Sequence, residues 1–271
     1  MATSLQENPF GDLLKEWRQR RRMSQLDLAL DAEISQRHLS FVESGRSRPS
    51  RDMVLKLAEH MSVPLRQRNR LLLAAGFAPS YEERGLDHPS MKPAMSAVQA
   101  VLNGHEPYPA IAVDRQWNMV ASNNAIAPFL EGVSDPALLE SPVNVLRLAL
   151  HPKGIAPRIV NLSEWRTHLI ERLKMQIDAS ADAGLIELEK ELSSYPGRGS
   201  SKPYDPHASV AVPLLLRMDD TILSFISTIT IFGTPLDVTL SELAIESFFP
   251  ADRDTGLYLQ KLAAQRESAL Y

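Results

Sequence analysis

Apolar positions predict five short helices in the first 78 residues of the chain. Phe10, Leu14 and Trp17 recur at helical spacing, so one face of a helix over residues 10–22 is expected to pack inward. Four further helices are predicted at residues 23–30, 35–43, 51–60 and 65–75. Their expected core positions include Leu26, Leu28, Ala29, Leu30, Leu39, Val42, Leu71, Leu72 and Leu73. The pattern therefore indicates an all-α unit at residues 1–78.

The pattern changes after a stretch rich in proline. Residues 79–106 contain Pro79, Pro89 and Pro93, and they predict a linker followed by a connecting helix. Strands are then predicted, from β-branched and alternating positions, at residues 111–113, 117–121, 209–218, 221–232 and 244–249. Helices are predicted at residues 124–130, 163–175, 185–192 and 256–264. Residues 107–271 are expected to form an antiparallel sheet covered by helices on one face, which makes the chain α+β.

Residues 24–50 contain the most informative chemistry of the first unit. Ser24 and Ser35 each stand where a side-chain oxygen caps the start of a helix. On the helix after Ser35, three polar residues lie opposite the apolar positions. They are Gln36, Arg37 and Ser40. An amide, a guanidinium and a hydroxyl presented together are suited to hydrogen-bonding base edges in a major groove.

This stretch resembles the helix-turn-helix of the Xre/Cro/phage-repressor class of DNA-binding domains, and the resemblance covers residues 9–77. It is carried by Ser24-Gln25, Ala29, Ser35-Gln36-Arg37, the trailer from Phe41 to Arg46, and Pro49-Ser50. The expected base-reading residues are Gln36, Arg37, Ser40 and Phe41. Phe41 either touches a thymine methyl or sugar or is buried against the basic loop. The residues assigned to phosphates, which orient the domain without reading sequence, are Gln25, Arg46, Arg48, Ser50 and Arg51.

The charge distribution agrees with such a domain at the N-terminal end. The net charge is −4, but residues 1–80 hold 13 Lys+Arg against 9 Asp+Glu, and the remainder holds 16 against 24. A basic first part on an acidic remainder fits a DNA-binding module fused to another domain. The chain has no cysteine, no signal-peptide pattern at its start and no apolar stretch long enough for a membrane span. A cytoplasmic protein without a membrane partner is expected.

The segment YPAIAVDRQWNMVASNNAIAPFL, residues 108–130, resembles the opening of a PAS-like sensor fold. More specifically, it is similar to the C-terminal ligand-binding domain of the MmyB-like transcription regulators, which follows an Xre-type domain. The resemblance implies an apolar pocket between sheet and helices that takes a fatty-acid-like ligand. The candidate lining residues are Trp117, Phe129, Leu146, Trp165 and Phe225. The tryptophan-containing segment and histidine-rich strand of that family have no counterpart around residues 195–206.

Signals for catalysis are sparse. The seven histidines are scattered without the paired spacing of metal ligands. The run GRGSSK at residues 197–202 does not match phosphate-loop spacing and is interpreted as a flexible loop. No nucleophile elbow or dinucleotide fingerprint occurs. We expect no enzymatic activity, no metal and no cofactor other than a bound fatty acid or similar small apolar molecule.

Together these patterns predict a one-component transcription regulator. A homodimer binding a pseudo-palindromic operator in double-stranded DNA is expected, with a small-molecule effector acting through the second domain. Two alternatives stay open. A DNA-tethered enzyme requires a polar cluster with shifted pKa values in the second domain. An antitoxin or other protein-interaction module requires a broad exposed apolar patch there and no cavity.

Overall fold

The computed structural model describes residues 9–196 and 212–269 of the chain, which form two units with separate hydrophobic cores. The first unit is called the head and the second the body. The head comprises Met1–Glu83, Asp178–Ala181 and Leu236–Val238, and the body comprises Arg84–Ile177, Asp182–Pro235 and Thr239–Tyr271. Among the described helices, none combines the length and the apolar composition that crossing a membrane requires.

The described part of the head contains the five helices that the sequence predicts. They are α1 (Pro9–Arg20), α2 (Gln25–Asp31), α3 (Gln36–Glu43), α4 (Arg51–His60) and α5 (Leu65–Ala74). The side-chain oxygens of Ser24, Ser35 and Ser50 each accept a hydrogen bond from the backbone amide three residues on, at 3.1–3.2 Å. Each serine thereby caps the helix that follows it. The prediction of an all-α helix-turn-helix unit is confirmed.

Three expected core positions of the head are wrong. Leu26 and Leu30 on α2 are 49% and 66% exposed, and Leu73 on α5 is 58% exposed. The inner face of α2 is formed by Leu28 and Ala29, which are buried, and residues two positions away on a helix point to its other side. Because a helix turns by about 100° per residue, three consecutive leucines on α5 do not all face one core.

The turn between α2 and α3 is closed by backbone hydrogen bonds. Glu33 has a φ of 52°, in the left-handed region, although it is not glycine. The Ile34 amide donates to the Ala29 carbonyl at 2.9 Å, and the Glu33 amide donates to the Leu30 carbonyl at 3.0 Å. This paired pattern satisfies the last carbonyls of α2 and fixes the direction in which the chain enters α3.

The body is built on a five-stranded sheet with the order β2-β1-β5-β4-β3, and every pair of neighbours in it is antiparallel. The strands are β1 (Ala110–Val113), β2 (Met119–Ser122), β3 (Leu214–Met218), β4 (Thr221–Ile231) and β5 (Ala244–Pro250). β2 begins later than predicted, since Trp117 has a φ of 66° in the preceding turn. The predicted loop at 197–202 and the start of the predicted strand at 209–218 lie outside the described residues.

After α5, the described residues contain seven further α-helices. They are α6 (Lys92–Gly104), α7 (Ala127–Leu130), α8 (Val145–Leu150), α9 (Leu162–Ser180), α10 (Ala183–Ser194), α11 (Val238–Ser241) and α12 (Arg253–Ala269). Short 3-10 turns lie at Pro89–Met91, Asn124–Ile126, Pro136–Leu139 and Ala156–Arg158. The predicted class, α+β with an antiparallel sheet and covering helices, is confirmed.

The sheet is covered on both faces rather than on the one face expected. Ile111 and Val113 of β1 belong to the large core shared with α8, α9 and α10. Ala110 and Ala112, which alternate with them, pack instead with α6 in a smaller core. Because successive side chains of a strand point to opposite faces, the two cores lie on opposite sides of β1. The larger core is the one that contains the pocket described below.

Candidate functional site

Helix α3 presents polar side chains away from the core of the head. Leu39 and Val42 are buried at 0% and 1% exposure, whereas Gln36 and Arg37 on the other side are exposed and Ser40 is partly exposed. An exposed amide and guanidinium at the N-terminal end of such a helix can reach base edges in a major groove.

Phe41, predicted either to touch DNA or to be buried against the basic loop, is partly exposed and lies close to two arginines. The guanidinium carbon of Arg37 is 5.3 Å from the centre of the Phe41 ring, and that of Arg46 is 5.8 Å from it. A guanidinium within about 6 Å of an aromatic face is attracted to it. The ring therefore holds a predicted base-reading arginine and a predicted phosphate-binding arginine beside each other.

Four of the five predicted phosphate contacts lie at or just before the first residue of α4, whereas Gln25 lies on α2. Arg46, Arg48 and Arg51 are exposed, and Ser50 caps the helix through the Met53 amide at 3.2 Å. A guanidinium nitrogen of Arg51 donates to the Ser80 hydroxyl at 2.6 Å. A helix N-terminus flanked by arginines favours an anion, because unpaired amides and positive side chains point the same way.

The body contains a pocket with a volume of about 120 Å³ beneath the sheet. Four of the five predicted lining residues surround it, namely Phe129, Leu146, Trp165 and Phe225. Each of these four is at most 6% exposed. Among the described residues that line the pocket, Glu246 of β5 is the one charged side chain, and the others are apolar. Such a lining suits an apolar molecule with its polar group at one end.

Trp117, the fifth predicted residue, does not line the pocket. The guanidinium of Arg172 stacks over its ring at 4.3 Å, and its indole N–H donates to the Gln176 side-chain oxygen at 2.7 Å. The positive φ of Trp117 places the ring on the turn before β2 rather than within the strand. Its role in the structure is thus to hold the position of Arg172 on α9.

The charged end of the pocket is a paired carboxylate and guanidinium. Nη1 and Nη2 of Arg172 donate to the two oxygens of Glu246 at 3.0 and 3.1 Å. The side chains of the two residues are 16% and 6% exposed. His168, one turn before Arg172 on α9, stands near this pair and near the ring of Trp165. Burial and the positive charge of Arg172 lower the pKa of His168, so the imidazole is neutral near pH 7.

Two family models match the chain. A helix-turn-helix model matches residues 14–67, and the model of the MmyB-like transcription regulator ligand binding domain matches residues 94–262. The chain belongs to the MmyB-like transcription regulators. It is therefore a DNA-binding transcription regulator with a domain that senses a ligand. No curated protein matches the chain at a significant level.

A buried ion pair in the head of this MmyB-like regulator was not predicted from the sequence. Arg18 Nε donates to Glu43 at 2.6 Å, and Arg18 Nη2 donates to its other oxygen at 3.1 Å. Gln25, assigned to a phosphate, donates its side-chain amide to the same carboxylate at 2.7 Å. A signal was present, because Arg18 and Glu43 each lie four residues after a buried leucine and thus on an inward face.

Glu246 was likewise missed in the body of the regulator. Its signal is a carboxylate in the middle of the apolar strand β5, at a position that alternation places on the inner face with Ala244 and Phe248. Within the described residues, no group of three or more histidine, aspartate or glutamate side chains could hold a metal ion. The absence of a metal or cofactor in the regulator stays a prediction.

Proposed function

We propose that the head binds a pseudo-palindromic operator in double-stranded DNA, and that the body binds a small apolar, fatty-acid-like effector that alters this binding. The observation that supports the first part is the outward position of Gln36 and Arg37 on α3, opposite the buried Leu39 and Val42. Two such helices in a homodimer would enter successive major grooves of one duplex. We place this regulator in the cytoplasm.

Within the operator complex, we assign base reading to Gln36, Arg37 and Ser40. An amide pairs best with adenine and a guanidinium with guanine, so the first two would specify adjacent bases. Phe41 touches a thymine methyl or a sugar while orienting Arg37 and Arg46. The phosphate contacts are Gln25, Arg46, Arg48, Ser50 and Arg51, with Gln25 sharing its amide between Glu43 and the DNA backbone.

The body is proposed to be a PAS-like sensor. Its pocket lies between the inner face of the sheet and the helices α7, α8 and α9, and its lining is apolar apart from Glu246. A ligand acts on DNA binding only if it binds more tightly to one of two arrangements of the dimer. The cavity disfavours one alternative, a protein-interaction module. The scarcity of polar groups in the lining of the pocket disfavours the other alternative, an enzyme.

Two arginine variants, Arg37→Ala and Arg48→Ala, test whether each arginine reads bases or contacts phosphates. The operator is first selected from random duplexes, and affinities for selected and scrambled DNA are then titrated at several salt concentrations. Arg37→Ala is expected to cost about 1–3 kcal/mol on the selected site and to relax its preference at one base pair. Arg48→Ala is expected to weaken all sequences alike and to reduce the salt slope by about one.

Arg70→Ala on α5 provides the charge-matched control, and it should leave both the site preference and the salt slope near those of the unaltered protein. An unchanged site preference in Arg37→Ala would contradict its assignment as a base reader. A salt slope unchanged by Arg48→Ala would contradict a phosphate contact at that residue.

A further inference from the structure

We propose that the pocket selects an uncharged amphiphile with a hydrogen-bond donor over a carboxylate, because Glu246 occupies its polar end and is already neutralised by Arg172. This inference rests on the proposed function of the body as a sensor of apolar ligands, and it names the head group of the ligand. The apolar chain of a fatty acid fits the lining, whereas its ionised head meets the carboxylate of Glu246.

Among the described residues that line the pocket none is positively charged, and the nearby guanidinium of Arg172 is already paired with Glu246. Both terminal nitrogens of Arg172 point at Glu246, and the face of the guanidinium is covered by the ring of Trp117. His168 also lies near the pair, and burial together with the charge of Arg172 lowers its pKa, so it adds no positive charge near pH 7. A ligand carboxylate placed here would add a second negative charge beside Glu246 in a pocket whose other described lining residues are apolar, which is costly.

The same pair leaves acceptor capacity for a neutral donor. Each oxygen of Glu246 accepts one hydrogen bond, both from Arg172, among the residues that the structure describes. An ionised carboxylate offers about four lone-pair sites, so further donors can be accepted. A hydroxyl or amide N–H on the ligand would donate to Glu246, and hydrogen bonds to charged groups are the stronger kind.

The pocket volume sets the size of the probes. A cavity of about 120 Å³ is close to the engineered apolar cavity of about 150 Å³ that takes up benzene. Probes with about six carbons therefore match the pocket. Hexan-1-ol supplies a hydroxyl donor, methyl pentanoate supplies neither charge nor donor, and hexanoate supplies a carboxylate. The three probes are nearly equal in apolar content, so differences in affinity report on the head group.

Calorimetric titration of the full chain at neutral pH tests the inference. Hexan-1-ol is expected to bind at least about tenfold more tightly than hexanoate, with methyl pentanoate between them, since one charge-assisted hydrogen bond is worth that factor. Glu246→Gln removes the negative charge and frees Arg172, so hexanoate binding to this variant is expected to reach or pass that of hexan-1-ol.

Glu191→Gln is the matched control. Glu191 accepts hydrogen bonds from Arg147 in the same two-point manner, at 2.8–3.0 Å, but neither residue lines the pocket. The order of the three probes should be unchanged in this variant. If Glu246→Gln does not fold, the order of the three affinities measured on the unaltered protein still tests the inference.

Hexanoate binding as tightly as hexan-1-ol to the unaltered protein would overturn the inference while leaving the proposed sensor function intact. Arg158→Met then locates the anion site, because Arg158 donates to the carbonyl of Phe129, a lining residue, and its buried Nε has no hydrogen-bond partner among the described residues. Loss of hexanoate binding in that variant would assign the head group to Arg158. Binding of none of the three probes would contradict the proposed pocket function itself, and the inference with it.

Discussion

In the described part of the chain, the head and the body each contain an arginine–glutamate pair with little solvent exposure, and the two pairs have different surroundings. In the head, the Glu43 carboxylate accepts from Arg18 and also from Gln25, while Arg18 donates a further bond to the Met23 carbonyl at 2.9 Å. In the body, the Glu246 carboxylate borders a cavity and accepts from Arg172 among the described residues. A charged pair with further hydrogen bonds from protein groups stabilises the fold, whereas a pair that borders a cavity can also hydrogen-bond a ligand.

The largest expected effect comes from breaking the closed pair. Arg18→Met leaves the carboxylate of Glu43 buried beside Gln25 without its counter-charge, and such an orphaned charge costs about 3–5 kcal/mol. Urea unfolding followed by far-UV circular dichroism measures the loss in the head. The control is Arg20→Met, which removes an exposed arginine paired with Glu16 and is expected to cost at most about 0.5 kcal/mol.

Removing the cation of the open pair, Arg172 with Glu246, is expected to lower stability by less than removing Arg18 from the closed pair. Arg172→Met also orphans a carboxylate, but Glu246 faces a cavity large enough to admit water, so the loss of stability is about 1–3 kcal/mol. The same unfolding measurement on this variant completes the comparison. Equal losses of stability in Arg18→Met and Arg172→Met would show that water in the cavity does not stabilise the unpaired carboxylate of Glu246. The distinction between the closed and the open pair would then fail.

The smallest expected effect is a pH dependence in the body. The folded-state pKa of His168 is lowered, first by burial and then by Arg172, so the unfolded chain binds its proton at a higher pH than the folded one. Stability contributed by the neutral imidazole is thus present above about pH 6.5 and is lost as the pH falls below it. Melting temperatures measured across this range should fall less steeply in His168→Gln than in the unaltered protein. If His168→Gln leaves the pH dependence of the melting temperature unchanged, its surroundings do not hold the imidazole of His168 neutral.

Much of the head follows from local sequence. The serines at 24, 35 and 50 cap helices through bonds to amides three residues away, and such short-range signals need no tertiary structure. The wrong core positions, Leu26 and Leu30, come from counting apolar residues without deciding which face is inner. That choice depends on which helices α2 meets, which the chain sets only when it folds.

In the body, the apolar candidates were easier to foresee than the polar end. Phe129, Leu146, Trp165 and Phe225 border the pocket, and large apolar residues in predicted elements usually face the larger core; their contact with a ligand stays a prediction. Arg172 and Glu246 are 74 positions apart in the chain, and nothing local signals that they meet. The expectation of one covered face also failed, since the placement of α6 depends on the path of the chain around the sheet.

By itself, then, the sequence determined the helix-turn-helix, the order of the elements and the chemistry at the start of α3, because capping and periodicity act over a few residues. Tertiary structure alone decided which charges are buried together and where the pocket ends. Those features arise from contacts between segments far apart in the chain, whose distances are fixed only when the sheet and α9 pack against each other.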